Sequence, residues 1–160
     1  MARNPKWAHP ISMVDVPNLF QVTKSLFRSA QPTGDGFLNL KKAKFKTILD
    51  LRALHKDPDT PGITEIDQEM TAWRVEDEDV IYTLRTIKNA KGKILIHCRH
   101  GADRTGCMIA MYRIVIQGWS KPDAIDEMEN GGFGFHSVFK NIPKYINESD
   151  VEMLREEVNK

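Results

Sequence analysis

The chain has 160 residues, of which 41% are hydrophobic and 28% charged, and its 23 basic and 22 acidic residues leave a formal net charge of +1. This is the size of one ordinary domain, which buries roughly 70% of its unfolded surface around a single core. The balanced charge argues against a general nucleic-acid binder, and no apolar run approaches the roughly 18 residues of a membrane span. The N-terminal run MARNPKWAHPI lacks the apolar core of a signal peptide. We therefore expect a soluble cytoplasmic protein, or a periplasmic one if an export signal was removed.

Strands alternate with helices over the first two thirds of the chain, and helices alone follow. The predicted strands lie at 18–22, 25–28, 46–51, 63–70 and 93–97, and the predicted helices at 37–44, from 76 to before Gly92, at 104–117, from Ser120 to Gly131, at 135–146 with a break near Pro143, and at about 149–159. This order indicates an α/β fold with a C-terminal layer of helices. Residues 1–160 are expected to form one domain, with a core at about 18–147.

Cysteine is scarce, with Cys98 and Cys107 the only two in the chain. Two cysteines are too few for a disulfide framework, and His97, Cys98 and His100 lie too close together for a usual zinc pattern. We expect no disulfide, no metal and no cofactor. Cys107 falls within the predicted helix 104–117, which is apolar nearly all round, so this helix and its cysteine are expected in the core.

The segment HCRHGADRTG, residues 97–106, joins a predicted buried strand to that buried helix. A helix start offers unpaired backbone N–H groups and a positive partial charge, and a tight glycine-containing loop turns further N–H groups toward the same point. Gly101 lets the backbone curl closely around a ligand, and Arg104 can bind two oxygens of a phosphate. The segment therefore predicts a phosphate-binding loop.

The same surroundings act on the thiol of Cys98. An ordinary thiol has a pKa near 8.5, whereas helix N-termini and neighbouring cations bring cysteines to about 3.5–7.5. We therefore expect Cys98 to be largely thiolate and to attack the phosphorus of a bound phosphate ester, forming a cysteinyl-phosphate that water hydrolyses. The loop N–H groups and Arg104 would stabilise the charge on the equatorial oxygens.

The loop resembles that of the cysteine-dependent protein tyrosine phosphatases, His-Cys-x-x-Gly-x-x-Arg-Thr-Gly. The runs NLF at 18–20, LFRSA at 26–30, MYRIVIQGW at 111–119 and GGFG at 131–134 are similar to those of bacterial dual-specificity phosphatases, so that the resemblance covers residues 7–134. It implies a central mixed sheet flanked by helices, with Cys98 as nucleophile and Arg104 as phosphate clamp in a Cys-x5-Arg loop.

The resemblance also implies roles for the other residues of the loop. The phosphate-binding residues would be Arg99, His100, Gly101, Ala102, Asp103 and Arg104. His97 would orient the loop and tune the thiolate, and Thr105 would hydrogen-bond the sulfur and assist breakdown of the phosphoenzyme. Arg99 and His100 add positive charge, as in relatives that accept phosphoinositides or inositol polyphosphates. The alternative is that both side chains form a solvated rim.

The sequence departs from the family pattern at the position of the general acid. These enzymes supply an aspartate from a loop ahead of the helix and strand that precede the nucleophile, but here Trp73 falls at that position. Four carboxylates remain as candidates, namely Glu76 or Asp77 on the loop, Asp67 on the strand before it, and Asp103.

Asp103 is the favoured acid, because an aspartate immediately before the arginine has been given an acid role in myotubularin-type and in bacterial lipid-and-tyrosine phosphatases. The alternative for Asp103 is a structural pairing with Arg104 or with local N–H groups. For Glu76 and Asp77 the alternative is stabilisation of the helix start. If no residue replaces the acid, aryl phosphates should be preferred, because a phenol with a pKa near 10 leaves more readily unprotonated than an alkoxide.

Together these features predict a metal-independent phosphomonoesterase acting on phosphotyrosine, with phosphoserine and phosphothreonine as further substrates of a dual-specificity enzyme. One alternative keeps the chemistry and changes the substrate to phosphoinositides or inositol phosphates. Another is a pseudophosphatase that binds phosphoproteins without turnover. The expected partner is a phosphorylated protein, with no nucleic acid, and the chain is expected to be a monomer.

Overall fold

A six-stranded mixed sheet forms the centre of the protein, whose computed structural model describes residues 2–160. In chain order the strands are β1 His9–Pro10, β2 Phe20–Gln21, β3 Leu26–Ser29, β4 Phe45–Arg52, β5 Thr64–Met70 and β6 Lys93–His97. Their order across the sheet is β1-β2-β3-β6-β4-β5. The pairs β1–β2 and β2–β3 are antiparallel, and the pairs from β3 to β5 are parallel. The central mixed sheet expected from the sequence is thus confirmed.

Six helices flank the sheet. They are α1 Gly36–Lys42, α2 Asp77–Asn89, α3 Arg104–Val115, α4 Lys121–Asn130, α5 Asn141–Glu148 and α6 Val151–Val158. The side chains of β6 alternate between the two faces of the sheet. Ile94 and Ile96 pack with residues of α2 to α6, whereas Leu95 packs with α1. One face of the sheet therefore carries α1 and the opposite face carries the other five helices. Among the described residues, no helix has the length and apolar character needed to cross a bilayer.

Helix α3 lies inside the protein, as its apolar sequence predicts. Ten of its twelve residues are buried, Cys107 among them. Burial raises the pKa of the Cys107 thiol to about 12, which keeps this second cysteine protonated and unreactive. Strand β6 is an inner strand of the parallel part of the sheet, and the segment joining it to α3 lies at the carboxyl edge, where open α/β sheets bind their ligands.

The structure differs from the prediction at two elements. The helix predicted at 135–146 is wrong in its bounds, since 135–140 forms turns and α5 begins only at Asn141 and runs through Pro143. Pro143 does not break the helix because it occupies the first turn, where a missing N–H costs no hydrogen bond. Strand β1 was not predicted, because two residues give no periodic pattern and its pairing with Phe20 and Gln21 is a tertiary contact.

A buried ion pair joins α3 to α4. Arg113 donates to both carboxylate oxygens of Glu127, at 2.9 and 2.8 Å, and the same carboxylate accepts the backbone N–H of Ala8. Removing one partner of a buried pair leaves an uncompensated charge, so we expect Glu127→Gln to lower the free energy of unfolding by about 3–5 kcal/mol in urea denaturation. Glu152→Gln, at the exposed pair with Arg155, is the matched control and should change stability little. Equal effects of the two substitutions would contradict a structural role for the buried pair.

Candidate active site

The phosphate-binding loop of residues 98–103 connects β6 to α3 and closes one end of a cavity of about 400 Å³. Cys98 is only 2% exposed. Within residues 2–160, none of the backbone N–H groups of residues 99–103 donates a hydrogen bond to the protein. The lining residues come from three segments and are Thr71, Ala72, Trp73, Cys98, Arg99, His100, Asp103, Arg104, His136, Val138 and Phe139. Unpaired N–H groups at the start of a helix suit an anion, as the sequence predicts.

A larger cavity, of about 960 Å³, lies elsewhere, between the edge of the sheet and α2. Its lining includes Lys46, Tyr82 and Arg85 but contains no cysteine, histidine or carboxylate. The smaller cavity combines a thiol with arginines and histidines. We therefore place the chemistry at the smaller cavity.

Gly101 is required by the way in which the loop packs on the end of β3. Its φ is +72°, and a Cβ atom added there would lie 2.4 Å from the carbonyl carbon of Ser29. The sequence predicted close approach to a ligand, whereas the structure shows that the crowding arises from the protein's own backbone. The carbonyl of Gly101 accepts a hydrogen bond of 2.9 Å from Nη2 of Arg28.

Arg28 lies beneath the loop, and sequence analysis assigned it no role. Its side chain is 1% exposed and its guanidinium carbon lies 3.7 Å from the ring centroid of Phe133. Burial lowers the pKa of Arg28 to about 10, which still leaves a cation near neutral pH. An arginine within the otherwise apolar run LFRSA was the signal for this support, because a charge is rarely buried without a partner.

His97 is fully buried and is held by carboxylates from two other segments. Its Nε2 donates to Asp57, and its Nδ1 lies 4.0 Å from Asp50. Burial alone would raise the pKa of Asp57, but the hydrogen bond and charge of His97 and the amide of Gln31 outweigh it and hold that pKa below its usual range. The structure thus places His97 where it can orient the loop. Asp57 lies between the predicted strands 46–51 and 63–70, in a stretch for which no element and no role was predicted.

Asp50, Asp57 and His97 are also the described residues that come closest to a metal site, with ligand atoms within 4.8 Å of one another. The hydrogen bond from His97 Nε2 to Asp57 occupies the nitrogen that a metal would need. Nδ1 of His55 also lies 2.6 Å from Oδ2 of Asp50, so this carboxylate is hydrogen-bonded as well. The group therefore fits a hydrogen-bonded support of the loop better than a ligand set.

The predicted phosphate clamp borders the cavity. Nη1 of Arg104 donates to the carbonyl of Met70 at 3.2 Å, and this contact ties the guanidinium to the end of β5. Thr105 is buried, and its hydroxyl has no hydrogen-bond partner among the described residues. The contact of Thr105 with the sulfur is therefore not made in this structure, and the role that the resemblance implies for it stays a prediction.

The remaining loop residues differ in their exposure to solvent. Arg99 and His100 are exposed at the mouth of the cavity, whereas Gly101 and Ala102 are buried. The carbonyl of His100 accepts a hydrogen bond of 3.1 Å from the side chain of Asn18, which links the loop to the segment just before β2. Arg99 and His100 are thus positioned to contact the part of a substrate that lies outside the phosphate loop.

Three of the four candidate acids do not line the cavity. Asp77 accepts a hydrogen bond of 2.7 Å from the hydroxyl of Tyr145, and Glu76 pairs with Arg74 at 2.9 Å. Asp67 lies on β5, where burial and the nearby Asp50 raise its pKa, but it too is absent from the lining. Asp103 is the one candidate carboxylate that borders the cavity.

Asp103 is engaged by a residue that sequence analysis did not single out. Its Oδ1 accepts the backbone N–H of His136 at 2.8 Å, and its Oδ2 pairs with Nδ1 of the same histidine at 2.8 Å. The expected pairing of Asp103 with Arg104 is not found. The signal for His136 was its position two residues after the GGFG run, but it fell in a segment predicted to be helical.

Aromatic side chains form one wall of the cavity. Trp73 is 62% exposed, and its ring meets that of Phe139 edge to face with centroids 4.5 Å apart. The family's acid position therefore presents an indole ring to the cavity in place of a carboxylate. An aromatic wall suits an aryl group beyond the phosphate.

A cysteine-bearing loop that joins a parallel strand to a buried helix at the carboxyl edge of a mixed sheet is typical of the cysteine-dependent phosphatases. The family model of the dual specificity phosphatase catalytic domain matches residues 33–143. The chain belongs to this family.

Individual relatives agree with this assignment. The dual specificity protein phosphatase TpbA of Pseudomonas aeruginosa is 35% identical over 160 residues, which cover 96% of this chain and 71% of TpbA. The crystal structure of TpbA covers 99% of this chain and 100% of that one, at 34% identity and a TM-score of 0.86. A cysteine-to-serine variant of TpbA in complex with pTyr gives the same TM-score, 0.86, at 33% identity over 99% of both chains. The resemblance predicted from the loop motif is confirmed.

The core catalytic domain of the PP-IP phosphatase SIW14 from S. cerevisiae, solved in complex with citrate, is also similar. It is 25% identical, with a TM-score of 0.76 over 92% of this chain and 96% of that one. The fold is therefore shared with a phosphatase of a different substrate class.

Proposed function

We propose that this protein is a phosphomonoesterase that hydrolyses phosphotyrosine in proteins, and phosphoserine or phosphothreonine more slowly, through a cysteinyl-phosphate. The observation that carries the proposal is that Cys98 and Arg104 line the same cavity, beside a loop whose backbone N–H groups at 99–103 donate to no group within residues 2–160. Similarity to TpbA, which has been solved in complex with pTyr, supports phosphotyrosine as substrate.

The reaction proceeds in two displacements. The sulfur of Cys98 attacks phosphorus, an S–P bond forms and the P–O bond to the leaving group breaks. Water then attacks the cysteinyl-phosphate, the S–P bond breaks, and inorganic phosphate leaves with the thiolate restored. The loop N–H groups and Arg104 hold the equatorial oxygens through both steps, while His97 and Arg28 keep the loop in shape from below.

We further propose that residues 1–160 act as one phosphatase domain and as a monomer. Leu154 and Val158 of α6 belong to the same apolar cluster as Ile96 of β6 and Met108 of α3. The nucleophile, the clamp and the aromatic wall all come from one chain.

The alternative substrate is a phosphoinositide or an inositol phosphate. It is favoured by the exposed Arg99 and His100 at the mouth of the cavity and by the similarity to SIW14. The aromatic wall of Trp73 and Phe139 favours an aryl ester instead.

Hydrolysis of a phosphotyrosine peptide, a phosphoserine peptide, a phosphoinositide and an inositol polyphosphate by the purified protein separates these substrates. We expect the highest kcat/KM for the phosphotyrosine peptide. A higher kcat/KM for either inositol compound would show that the substrate is an inositol phosphate or a phosphoinositide, hydrolysed by the same mechanism. Binding of all four without turnover would leave a pseudophosphatase.

Trp73→Ala should weaken recognition of aryl phosphates. Removing one aromatic partner of the wall costs about 0.5–1.5 kcal/mol, which corresponds to a roughly two- to tenfold higher KM for a phosphotyrosine peptide. Trp73→Phe keeps a ring and should keep most of the affinity. Steady-state kinetics of both variants test this expectation, and an unchanged KM in Trp73→Ala would show that the wall does not contact the substrate.

A further inference from the structure

We propose that His136 is the general acid of this active site and that Asp103 is the residue that positions it. This inference rests on the proposed phosphatase function, because it names the proton donor for the same reaction. It starts from the Asp103–His136 pair, which joins the end of the phosphate loop to the turn that precedes α5.

Both carboxylate oxygens of Asp103 are engaged by His136. Asp103 is only 5% exposed, and each of its two carboxylate oxygens lies 2.8 Å from a nitrogen of His136, one of the backbone and one of the ring. A general acid must reach the leaving oxygen within hydrogen-bond distance. The carboxylate that the sequence favoured as acid therefore faces a histidine instead of the substrate.

His136 has the opposite arrangement. Its Nδ1 donates to Asp103, so the carboxylate fixes the orientation of the ring. Nε2 is left without a partner in the described structure, on a side chain that is 49% exposed and that lines the cavity with Cys98 and Arg104. This is the same use of a buried carboxylate to orient a catalytic imidazole that serine hydrolases make.

The surroundings of the ring fix its position further. The ring of His100 lies 5.2 Å away and that of Phe139 6.3 Å away, both edge to face. The charged or titratable groups that line the cavity around the imidazole are Asp103, His100, Arg99 and Arg104. The opposite wall, at Thr71 to Trp73, contributes no charge.

His136 gives up one proton and takes one back in each turnover. In the first displacement, Nε2 gives its proton to the leaving oxygen as the P–O bond breaks, and His136 becomes neutral while Nδ1 keeps its proton on Asp103. In the second displacement, Nε2 takes a proton from the attacking water as the S–P bond breaks. His136 is again protonated when phosphate leaves, so no other donor is needed.

The test compares two aryl phosphates with different leaving groups. Phenyl phosphate needs its leaving oxygen protonated, whereas a dinitrophenyl phosphate releases a phenolate that is stable without a proton. For His136→Gln we expect kcat to fall by about 10²–10⁴-fold on phenyl phosphate and far less on dinitrophenyl phosphate. The alkaline limb of the kcat profile against pH should disappear on phenyl phosphate.

Asp103→Asn tests the positioning residue, since the amide keeps the shape of the side chain but loses the carboxylate oxygen that accepts from the ring of His136. We expect kcat to fall more on phenyl phosphate than on dinitrophenyl phosphate, a dependence on the leaving group that a merely structural role would not produce. His9→Gln, on the exposed strand β1, is the matched control and should behave as wild type. Thermal unfolding of each variant reports whether it is folded.

Equal losses of kcat on both aryl phosphates in His136→Gln, or an alkaline limb that persists on phenyl phosphate, would overturn the proposal. Failure of the proposed function looks different, because the wild type would then turn over neither aryl phosphate, or Cys98→Ser would retain turnover of dinitrophenyl phosphate. A normal burst of dinitrophenol from His136→Gln would show that the nucleophile works and that only the proton donor has been removed.

Discussion

Cys98→Ser is expected to abolish turnover on every phosphate ester, with kcat falling on the order of 10⁴–10⁶-fold, as for loss of a covalent nucleophile. A serine hydroxyl is not ionised at neutral pH and is a far weaker nucleophile than a thiolate. The loop N–H groups and Arg104 are unchanged in this variant, so binding of a phosphotyrosine peptide should survive. Turnover kinetics together with calorimetric binding of that peptide measure both expectations.

Cys107→Ala is the matched control. Cys107 lies fully buried in α3, one turn or so beyond the loop, and its thiol is kept protonated by burial. We expect this variant to retain wild-type kcat with only a modest loss of stability. A loss of turnover in Cys107→Ala that matches the loss in Cys98→Ser, with both proteins folded, would contradict the assignment of Cys98.

Arg104→Lys is the second substitution with a large expected effect. Lysine keeps the positive charge but loses the planar guanidinium that binds two phosphate oxygens at once. Arginines that stabilise a transferring phosphoryl group contribute about 10³–10⁵-fold to the rate, and we expect kcat/KM to fall within that range. The contact of Arg104 with the carbonyl of Met70 would be lost as well.

Arg99→Lys, in the same loop, provides the comparison for Arg104→Lys. The side chain of Arg99 is exposed at the cavity mouth and not at the helix start, so the same substitution there should have a much smaller effect on an aryl phosphate. Equal losses at the two positions would mean that overall positive charge, and not bidentate binding, is what the phosphate requires.

The position of the loop between a strand and a helix was predictable because its signals are local. Cys98, Gly101 and Arg104 stand within seven residues, between an apolar strand and an apolar helix that each carry their own pattern. Structure and comparisons agree with the fold and the family that this segment predicts. The burial of Cys107 followed from the same helix pattern.

The supporting residues were missed because each acts across a long stretch of chain. Asp57 reaches His97 over 40 residues, Arg28 reaches Gly101 over 73, and His136 reaches Asp103 over 33. No local periodicity reports such contacts, since they arise only when the sheet brings the ends of β3, β4 and β6 together. The contact between Asp103 and His136 could not be inferred from the loop alone for the same reason.

Trapping the phosphoenzyme tests the central account most directly. The protein is mixed with an aryl phosphate, quenched with acid during turnover, digested and analysed by mass spectrometry. We predict one phosphoryl group on the peptide that contains Cys98, carried by its sulfur, and none in Cys98→Ser. A phosphoryl group on any other residue, or steady turnover by Cys98→Ser without a phosphorylated peptide, would contradict the account.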